Sequence, residues 1–241
     1  MTALNIDNDA CAVVELRQYT LHPGGREVLI ELFERELVET QEAVGMTVMG
    51  QFRDLADADR VVWLRGFCDM PSRRTALAAF YGGAVWQAHR AAANATMIDS
   101  DNVLLLRPAW PGSGIDMAGR IRDATIRAAS AALVEAHIFH LREPATAELL
   151  GLCRQTLARA GNPVLGCYVS EPAVNDFPRL PVREGEPVLV LFESRDDRDE
   201  RHDPARSDAR AHPLTATIAA WLERPVHTLR LAPTPRSAIR A

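Results

Sequence analysis

Glutamate and histidine lie two residues apart in a short apolar segment of the second half of the chain. Glu135 and His137 occupy the run Leu133–Leu141, and on a β-strand residues at this spacing point to the same face. A histidine whose ring is oriented by a carboxylate is a frequent general base. His137 is therefore a candidate catalytic base, and Glu135 is its candidate orienting partner.

A closely similar segment near the start of the chain carries arginine in place of the histidine. Glu15 and Arg17 occupy the run Val13–Leu21, and a guanidinium keeps its charge at any ordinary pH. We predict that Arg17 stabilises an anion in a reaction carried out with His137 and Glu135. The structural alternative is that each glutamate forms an ion pair that only fixes how two halves of the molecule dock.

Aromatic and charged side chains near these positions are candidates for binding a substrate, since rings supply apolar contact and guanidiniums bind anions. The predicted substrate-binding residues are Glu15, Tyr19, Trp63, Phe139, Phe177 and Arg179. Phe177 and Arg179 belong to a proline-containing loop, residues 171–187, and loops of this length are frequently lids or binding loops. The alternative is a hairpin extension that packs on the neighbouring part of the molecule.

Several kinds of site are excluded by the residue types present. All 27 basic residues are arginine, and without lysine neither Schiff-base catalysis nor a P-loop lysine is available. His137 and His140 stand three residues apart on a strand and so point to opposite faces. His202 and His212 accompany an arginine- and aspartate-rich segment that is typical of a solvated surface. We therefore expect no metal site and no cofactor.

Length and charge indicate a globular protein with a small-molecule ligand as its partner. The chain has 241 residues and a net charge of −5, whereas nucleic-acid-binding domains carry a basic surface. No apolar run reaches the roughly 20 residues that cross a bilayer, and the first residues lack a signal-peptide pattern. We expect a cytoplasmic protein that binds neither nucleic acid nor membrane and whose cysteines are reduced. Homo-oligomer formation is left open.

The two similar segments belong to an internal repeat. They share the pattern apolar-Val-Glu-x-basic-x-aromatic-x-Leu, with Val13 aligned to Leu133, and each is followed by a helix, a hairpin, helical segments and a closing strand. The order βαββαβ, present twice, is the ferredoxin-like plan. The predicted fold is α+β, with tandem ferredoxin-like (βαββαβ) repeats that form a pseudo-dimeric α/β barrel.

The predicted domain boundaries follow from the two closing strands and the prolines that end them. The first unit covers residues 12–108, the linker 109–131, the second unit 132–233 and the tail 234–241. We expect the tail to be frayed, because chain ends without packing contacts are poorly ordered.

The face of each strand that looks toward the other unit is predicted from the alternation of side chains. A ferredoxin-like unit covers one face of its sheet with helices, and its other face must be buried against a second sheet. Val14 and Leu16 suit a position under a helix. Their neighbours on the opposite face, Glu15, Arg17 and Tyr19, would then point into a cleft between the two sheets, as would Glu135 and His137 in the copy.

The residues from Val14 to Pro108 resemble the NIPSNAP family of the dimeric α/β-barrel superfamily. The resemblance rests on short motifs of this sequence: Glu15-Leu16-Arg17-Gln18-Tyr19 with Pro23-Gly24, Val61-Val62-Trp63, Arg73, and Trp86-Gln87-Ala88-His89-Arg90. More loosely, the stretch Asn175–Glu184 is similar to a loop of two-unit bacterial members.

The resemblance implies a barrel with a binding site but not one particular reaction, because fold alone does not determine function. The wider superfamily contains cofactor-independent monooxygenases, dehydratases, polyketide cyclases and heme-degrading enzymes. We expect a small-molecule-binding protein, and more specifically a cofactor-independent enzyme of the monooxygenase, cyclase or isomerase type acting on a hydrophobic or aromatic metabolite. One alternative is a non-catalytic binding or scaffold protein.

A heme-binding barrel is the other alternative that the superfamily suggests. Heme-degrading relatives use an asparagine on the first strand, a tryptophan on the second helix and a histidine that follows it. This chain lacks the asparagine and has Phe80 near the tryptophan position, while His89 falls near the position of the ligand. His89 is therefore the alternative heme ligand.

Overall fold

A computed structural model describes residues 11–119, 132–161, 163–196 and 212–240, which form one body of eight strands and their covering helices. The first unit consists of β1 (Val13–Leu21), α1 (Gly25–Leu32), a π-helical turn (Phe33–Leu37), α2 (Val38–Glu42), β2 (Thr47–Asp54), β3 (Arg60–Phe67), α3 (Met70–Gly82), α4 (Ala84–Asn94) and β4 (Met97–Pro108). The second unit consists of β5 (Ala132–His140), α5 (Ala147–Ala160), β6 (Val164–Ser170), β7 (Val188–Asp196), α6 (Pro213–Thr217), a 3₁₀ turn (Ala219–Trp221) and β8 (His227–Pro233).

The eight strands close into a single antiparallel barrel in the order β1-β3-β2-β8-β5-β7-β6-β4. Each unit supplies four neighbouring strands, and the units join where β2 pairs with β8 and where β4 pairs with β6. Closure removes the free sheet edges that each unit would otherwise expose. The predicted fold class, two ferredoxin-like units in one pseudo-dimeric barrel, is confirmed.

The barrel interior is filled by apolar side chains from all eight strands. Examples are Leu16 of β1, Leu64 of β3, Val134 of β5 and Phe192 of β7, which are all buried in one cluster. The predicted orientation of the strands was wrong: Val14 and Leu16 point into the barrel, and Glu15, Arg17 and Tyr19 point outward beneath the helices. A face of mainly apolar residues suits the interior because the closed barrel buries it completely.

Two short segments, one from each unit, close the interior around glycines of the barrel. The backbone N–H of Ile115, in the segment after β4, donates to the hydroxyl of Tyr168 at 2.7 Å, and the Ile115 side chain packs against Gly166. The segment after β8 places Ile239 in the same interior cluster, and its N–H donates to the carbonyl oxygen of Met49 at 2.9 Å. A Cβ at Gly166 would lie 2.6 Å from Ile115, so the close approach requires glycine there.

The final residues are ordered by these contacts, so the expectation of a frayed tail was wrong for residues 234–240. Ser237 and Ile239 are buried, and the Ser237 hydroxyl accepts the N–H of Gln51 at 3.2 Å. The later part of the predicted linker, residues 120–131, lies outside the described residues. No helix in the described ranges is both long and apolar enough to cross a membrane.

Candidate functional site

The four strands of the first unit (β1 to β4), called the first sheet below, carry on their outer face a buried carboxylate surrounded by three guanidiniums. Glu15 Oε2 lies 2.6 Å from Arg17 Nη1 and 2.7 Å from Arg65 Nε, and Glu15 Oε1 lies 2.8 Å from Arg73 Nε. All four side chains are almost fully buried. Burial alone would raise the pKa of Glu15, but the charges of Arg65, Arg17 and Arg73 outweigh it and hold the pKa far below its usual range.

Helix α3 brings Arg73 onto this carboxylate, and its start is defined by the local sequence. The Asp69 side chain accepts the N–H of Ser72 at 2.7 Å, and the Ser72 hydroxyl accepts the N–H of Asp69 at 3.0 Å. This reciprocal capping, with Pro71 in the first turn, fixes where the helix begins. One turn into the helix, the Arg73 guanidinium reaches down to Glu15 and across to Asp176 at 2.7 Å.

A small apolar cavity of about 10 Å³, room for roughly one water molecule, lies beside this cluster, between the first sheet and helix α1. Its walls come from the sheet and from the helices above it: Tyr19, Leu29, Ile30, Phe33, Glu34, Gln51, Val61 and Trp63. The rings of Tyr19 and Phe33 both pack edge-on against Trp63, at centroid separations of 5.9 and 4.8 Å. Sites for small ligands have similar apolar and aromatic walls but volumes of about 300–1,000 Å³, so a ligand enters here only if helix α1 moves away from the sheet.

Two polar groups in the cavity wall are buried without a hydrogen-bond partner. Within the described part of the chain, neither the oxygen nor the nitrogen of the Gln51 side chain forms a hydrogen bond, although the residue is only 3% exposed, and the indole N–H of Trp63 has no acceptor there. Unsatisfied buried polar groups cost about 1–3 kcal/mol each. The cavity as it stands exposes only apolar atoms, so a ligand hydroxyl or carbonyl would meet these groups only after the cavity widens.

Tyr19 joins the arginine cluster to the cavity. Its hydroxyl oxygen accepts a hydrogen bond from Arg17 Nε at 2.8 Å, and the Arg17 guanidinium lies 5.6 Å from the Trp63 ring centre. Burial raises the pKa of Tyr19, and this effect exceeds the opposing influence of Arg17. The phenol therefore keeps its proton and can donate it as a hydrogen bond to an oxygen of a ligand.

The equivalent outer face of the second sheet carries histidines and glutamates. His137 Nε2 lies 3.4 Å from Glu193 Oε2 and 3.5 Å from Glu135 Oε2, while His212 Nε2 lies 3.4 Å from Glu193 Oε1. Burial lowers the pKa of His137, but the two carboxylates outweigh it and raise the pKa above its ordinary value. Glu135 also contacts Arg195 at 2.8 Å, at the rim of the cluster.

The three residues predicted to act together in catalysis do not share one site. Arg17 lies on β1 and His137 with Glu135 on β5, and these strands are four positions apart in a closed ring of eight. The side chains point outward on opposite sides of the barrel, so Arg17 cannot stabilise an anion at His137. Glu135 does lie beside His137, as predicted.

The predicted substrate-binding residues divide between the two faces. Glu15, Tyr19 and Trp63 belong to the first-unit cluster, whereas Phe139 is buried in the second unit, 6.0 Å from the His212 ring. Phe177 and Arg179 come from the second unit in sequence but pack on the first unit.

The loop of residues 171–187 carries Phe177 and Arg179 across the surface onto the first unit. The Phe177 ring stacks on Tyr81 of α3 at 6.1 Å, and the Arg179 guanidinium lies 5.2 Å from the Phe177 ring centre. Asn175 and Asp176 accept hydrogen bonds from Arg73. Of the two interpretations of this loop, packing on the neighbouring unit describes its contacts, and those contacts cover the arginine cluster.

His89, the alternative heme ligand, lies half-buried on α4. Its Nε2 lies 3.5 Å from Glu36 Oε2, so its polar contact is a carboxylate on the π-helical turn.

Several residues of both clusters were not foreseen. Arg65 and Glu193 occupy equivalent strand positions opposite Glu15 and Glu135, and only the pairing of strands reveals them. The sequence around Gln51 has an ordinary strand pattern, which does not mark this residue as part of a site. His212 was assigned to a solvated segment, yet it precedes Pro213 and begins helix α6, and this helix-start signal would have placed it against the sheet.

Comparisons with known proteins agree with the fold. A family model described as NIPSNAP matches residues 14–110. No curated protein matches the chain significantly.

Three solved structures illustrate the structural similarity. A candidate monooxygenase from Fusobacterium nucleatum is 12% identical, with 93% of each chain covered and a TM-score of 0.58. An anthrone oxidase-like protein is 13% identical, with 95% of this chain and 94% of that chain covered and a TM-score of 0.50. An uncharacterised NIPSNAP-like domain protein from Burkholderia xenovorans is 28% identical over 40% of this chain and 84% of its own, with a TM-score of 0.37. Residues 14–110 of this chain, which include all four strands of the first unit apart from Val13, therefore match the NIPSNAP family model, and the whole chain closes one eight-stranded barrel.

Proposed function

We propose that this protein binds a small, largely apolar aromatic metabolite in the first-unit cavity and acts on it without a resident cofactor. The observation that carries the proposal is the pair of unpartnered buried groups, Gln51 and Trp63, beside an apolar cavity with aromatic walls, which must widen from about 10 Å³ to admit the ligand. An aromatic ring with a hydroxyl or carbonyl group matches both features. The structurally similar proteins described as a candidate monooxygenase and as anthrone oxidase-like give the proposal a reaction class.

The chemistry that these residues support begins with formation of a substrate anion. Glu34 lies in the cavity wall, where its Oε1 accepts the N–H of Arg236 at 2.8 Å, and in the widened cavity its second carboxylate oxygen would accept a proton from a phenol or from a carbon next to a carbonyl. The negative charge then develops on the substrate oxygen, to which the Tyr19 hydroxyl donates. Arg17 donates to Tyr19 and strengthens this hydrogen bond, because bonded chains polarise one another in a buried site.

Glu15 acts through Arg17 in this scheme and does not contact the substrate. It holds the guanidiniums of Arg17, Arg65 and Arg73 in place, and its very low pKa makes it a poor base. An enolate or phenolate is the common intermediate of oxygenation by dioxygen, cyclisation and isomerisation. The residues of the cavity therefore support the shared first step.

The test is a thermal-shift screen of aromatic acids, quinols and polyketide-like phenols, followed by binding and turnover assays on the compounds that stabilise the protein. Tyr19→Phe keeps the ring and removes the hydroxyl, so it should retain binding within about tenfold and lose most turnover. Tyr168→Phe is the matched control, because it removes a buried hydroxyl in the barrel interior and should leave both measurements unchanged. Equal turnover in Tyr19→Phe and the parent would refute the proposed role of Tyr19.

A non-catalytic binding or scaffold function is the second candidate, and the filled barrel interior favours it. Apolar side chains from every strand occupy the space between the two sheets, so a ligand cannot enter there. Under this proposal the Glu15 cluster only stabilises the first unit. Ligand-induced stabilisation without any turnover, for every compound that binds, would support it. The heme alternative requires a Soret band in the purified protein that disappears in His89→Ala.

A further inference from the structure

The two outer faces differ in charge at equivalent positions of the repeat. Glu15 on β1 stands directly opposite Arg65 on β3, whereas its counterpart Glu135 on β5 stands directly opposite Glu193 on β7. Arg17 is likewise replaced by His137. The first face therefore has an excess of buried positive charge, and the second has two carboxylates on adjacent strands.

Like charges placed directly opposite each other on neighbouring strands are destabilising. The penalty is larger here because Glu193 is fully buried and Glu135 is mostly buried. Arg195 offsets part of it through Glu135 at 2.8 Å, but this arginine is 44% exposed and lies 3.9 Å from Glu193. His137 and His212 also face Glu193, each at 3.4 Å.

Two buried histidines aim the same ring nitrogen at this point. His137 Nε2 and His212 Nε2 each lie 3.4 Å from an oxygen of Glu193, and both residues are more than nine-tenths buried. The two rings lie 4.8 Å apart between centroids. One nitrogen of each histidine and one carboxylate oxygen of Glu193 all fall within 4.8 Å of one another.

We propose that His137, His212 and Glu193 form a binding site for a first-row divalent transition metal ion, with Glu135 at its edge. Two imidazoles and a carboxylate are a common ligand set for Zn²⁺ and Fe²⁺. Ligand atoms about 2.1 Å from a tetrahedral ion stand roughly 3.4 Å from one another. His137 Nε2 stands 3.4 Å from Glu193 Oε2 and His212 Nε2 stands 3.4 Å from Glu193 Oε1, so each nitrogen is at this spacing from one of the two carboxylate oxygens.

The residues around the site already orient the first histidine for metal binding. His137 Nδ1 lies 2.9 Å from the hydroxyl of Thr228 on β8. This contact can hold the ring proton on Nδ1, so that the lone pair of Nε2 is available to bind the metal. Outer partners of this kind position metal-bound histidines in known sites. Phe139 packs beside the His212 ring and limits water on that side.

Metal binding at His212 requires one local change. His212 Nδ1 accepts the N–H of Leu214 at 3.2 Å, which places the ring proton on Nε2, facing Glu193. Coordination through Nε2 moves the proton to Nδ1 and gives up this helix-capping bond. The lost bond is long and caps a short helix, so its loss is small beside the gain from binding the metal.

The experiment uses the full chain, treated with a chelator and then titrated with Co²⁺ and Zn²⁺. Co²⁺ should give visible d–d absorption with one ion bound per chain, and Zn²⁺ should displace it and raise the melting temperature. His137→Gln and His212→Gln should each weaken binding at least 100-fold. His22→Gln changes an exposed histidine, lies outside the site, and should bind as the parent does.

The outcomes separate a metal site from a metal-free ion pair. Stoichiometric binding that persists in the His137→Gln/His212→Gln double variant would place the ion elsewhere and overturn the proposal. A folded parent protein that shows no Co²⁺ spectrum would also overturn it, and His137 would then be a protonated partner of the two glutamates. Folding of each variant is checked by circular dichroism, and the parent titration decides the question even where a variant unfolds.

Discussion

At the scale of single residues, the most consequential group is the buried carboxylate of Glu15. Three guanidiniums share its two oxygen atoms, and each of these charges would be costly in the interior without it. The carboxylate therefore stabilises the whole first-unit cluster, whether or not the cavity beside it is catalytic.

Replacing Glu15 with glutamine should destabilise the protein by about 3–5 kcal/mol, because it removes one partner of a buried ion cluster and leaves the arginines uncompensated. Glu27→Gln is the matched control. Glu27 pairs with Arg53 on the surface and is 60% exposed, so its loss should cost less than about 1 kcal/mol. Chemical denaturation measures both values, and similar effects for the two variants would contradict the prediction.

The imidazole of His140 should make stability depend on pH. Burial, together with the nearby charges of Arg224 and Arg183, lowers the pKa of His140 to about 4, and its Nδ1 lies 2.9 Å from Arg224 Nη2. The unfolded chain binds a proton near pH 6.5, where the folded protein does not. The stabilisation is therefore complete above pH 6.5 and is lost as the pH falls toward 4, by up to about 3 kcal/mol.

His140→Asn should flatten this dependence, since an amide neither titrates nor needs to be deprotonated to accept from Arg224. The measurement is the free energy of unfolding at several pH values between 4.5 and 7.5, with His22→Asn as the exposed control. An unchanged slope in His140→Asn would assign the pH dependence to other groups.

The sequence predicted which residues share a face but not which way that face points. Glu15, Arg17 and Tyr19 do lie together, because strand alternation is a local property. Both faces of the sheet are buried, however, one by the barrel and one by the helices, so polarity does not distinguish them. The buried arginines Arg65 and Arg73 make the outer face suitable for a charged group, and their approach depends on tertiary structure.

At the scale of elements, the loop of residues 171–187 joins β6 to β7 of the second unit, and its packing on the first unit is the contact between units that the sequence described best. Its length and prolines predicted a functional or packing role, and it lies on the neighbouring unit with the N–H of Glu171 bonded to Leu105 and that of Arg183 bonded to Val103. Its contact with α3 is not visible in the sequence, because Arg73 and Asp176 are more than 100 residues apart.

Phe177→Ala should destabilise the protein by about 3 kcal/mol, because it removes a ring that is only 7% exposed and stacks on Tyr81. The same change should increase amide hydrogen exchange in α3, which the loop covers. Val174→Ala is the control within the same loop, since Val174 is 79% exposed, and it should change neither measurement. Unaltered exchange in α3 for Phe177→Ala would show that the loop does not hold the helix.

At the scale of the whole molecule, the internal repeat predicted the barrel and the order of its elements. It did not predict that the segments after β4 and β8 enter the barrel interior, since each contributes one isoleucine to a polar, proline-containing stretch. Ser113 and Ser237 each donate their backbone N–H to the carbonyl oxygen three residues earlier, and Ile115 and Ile239 both lie in the interior cluster. These segments therefore also follow the repeat.

Ile239→Ala should therefore cost about 2–4 kcal/mol, as expected for a core residue and not for a chain end. Ile115→Ala should cost a similar amount, because the two side chains fill equivalent positions. Ile98→Ala is the surface control, with 59% of the residue exposed. Thermal unfolding of the three variants tests this. An Ile239→Ala variant with the stability of the parent would show that the tail is a frayed end.

The position of β1 and β5 on opposite sides of one ring has an evolutionary consequence. In a symmetric homodimer every substitution appears twice, so a change that suits one binding face is imposed on the other as well. When the two halves are joined in one chain this constraint is removed, and the residues of each face can change independently. The arginine-rich face at β1 and the histidine-glutamate face at β5 are an example: they are chemically opposite although they occupy equivalent positions of the repeat.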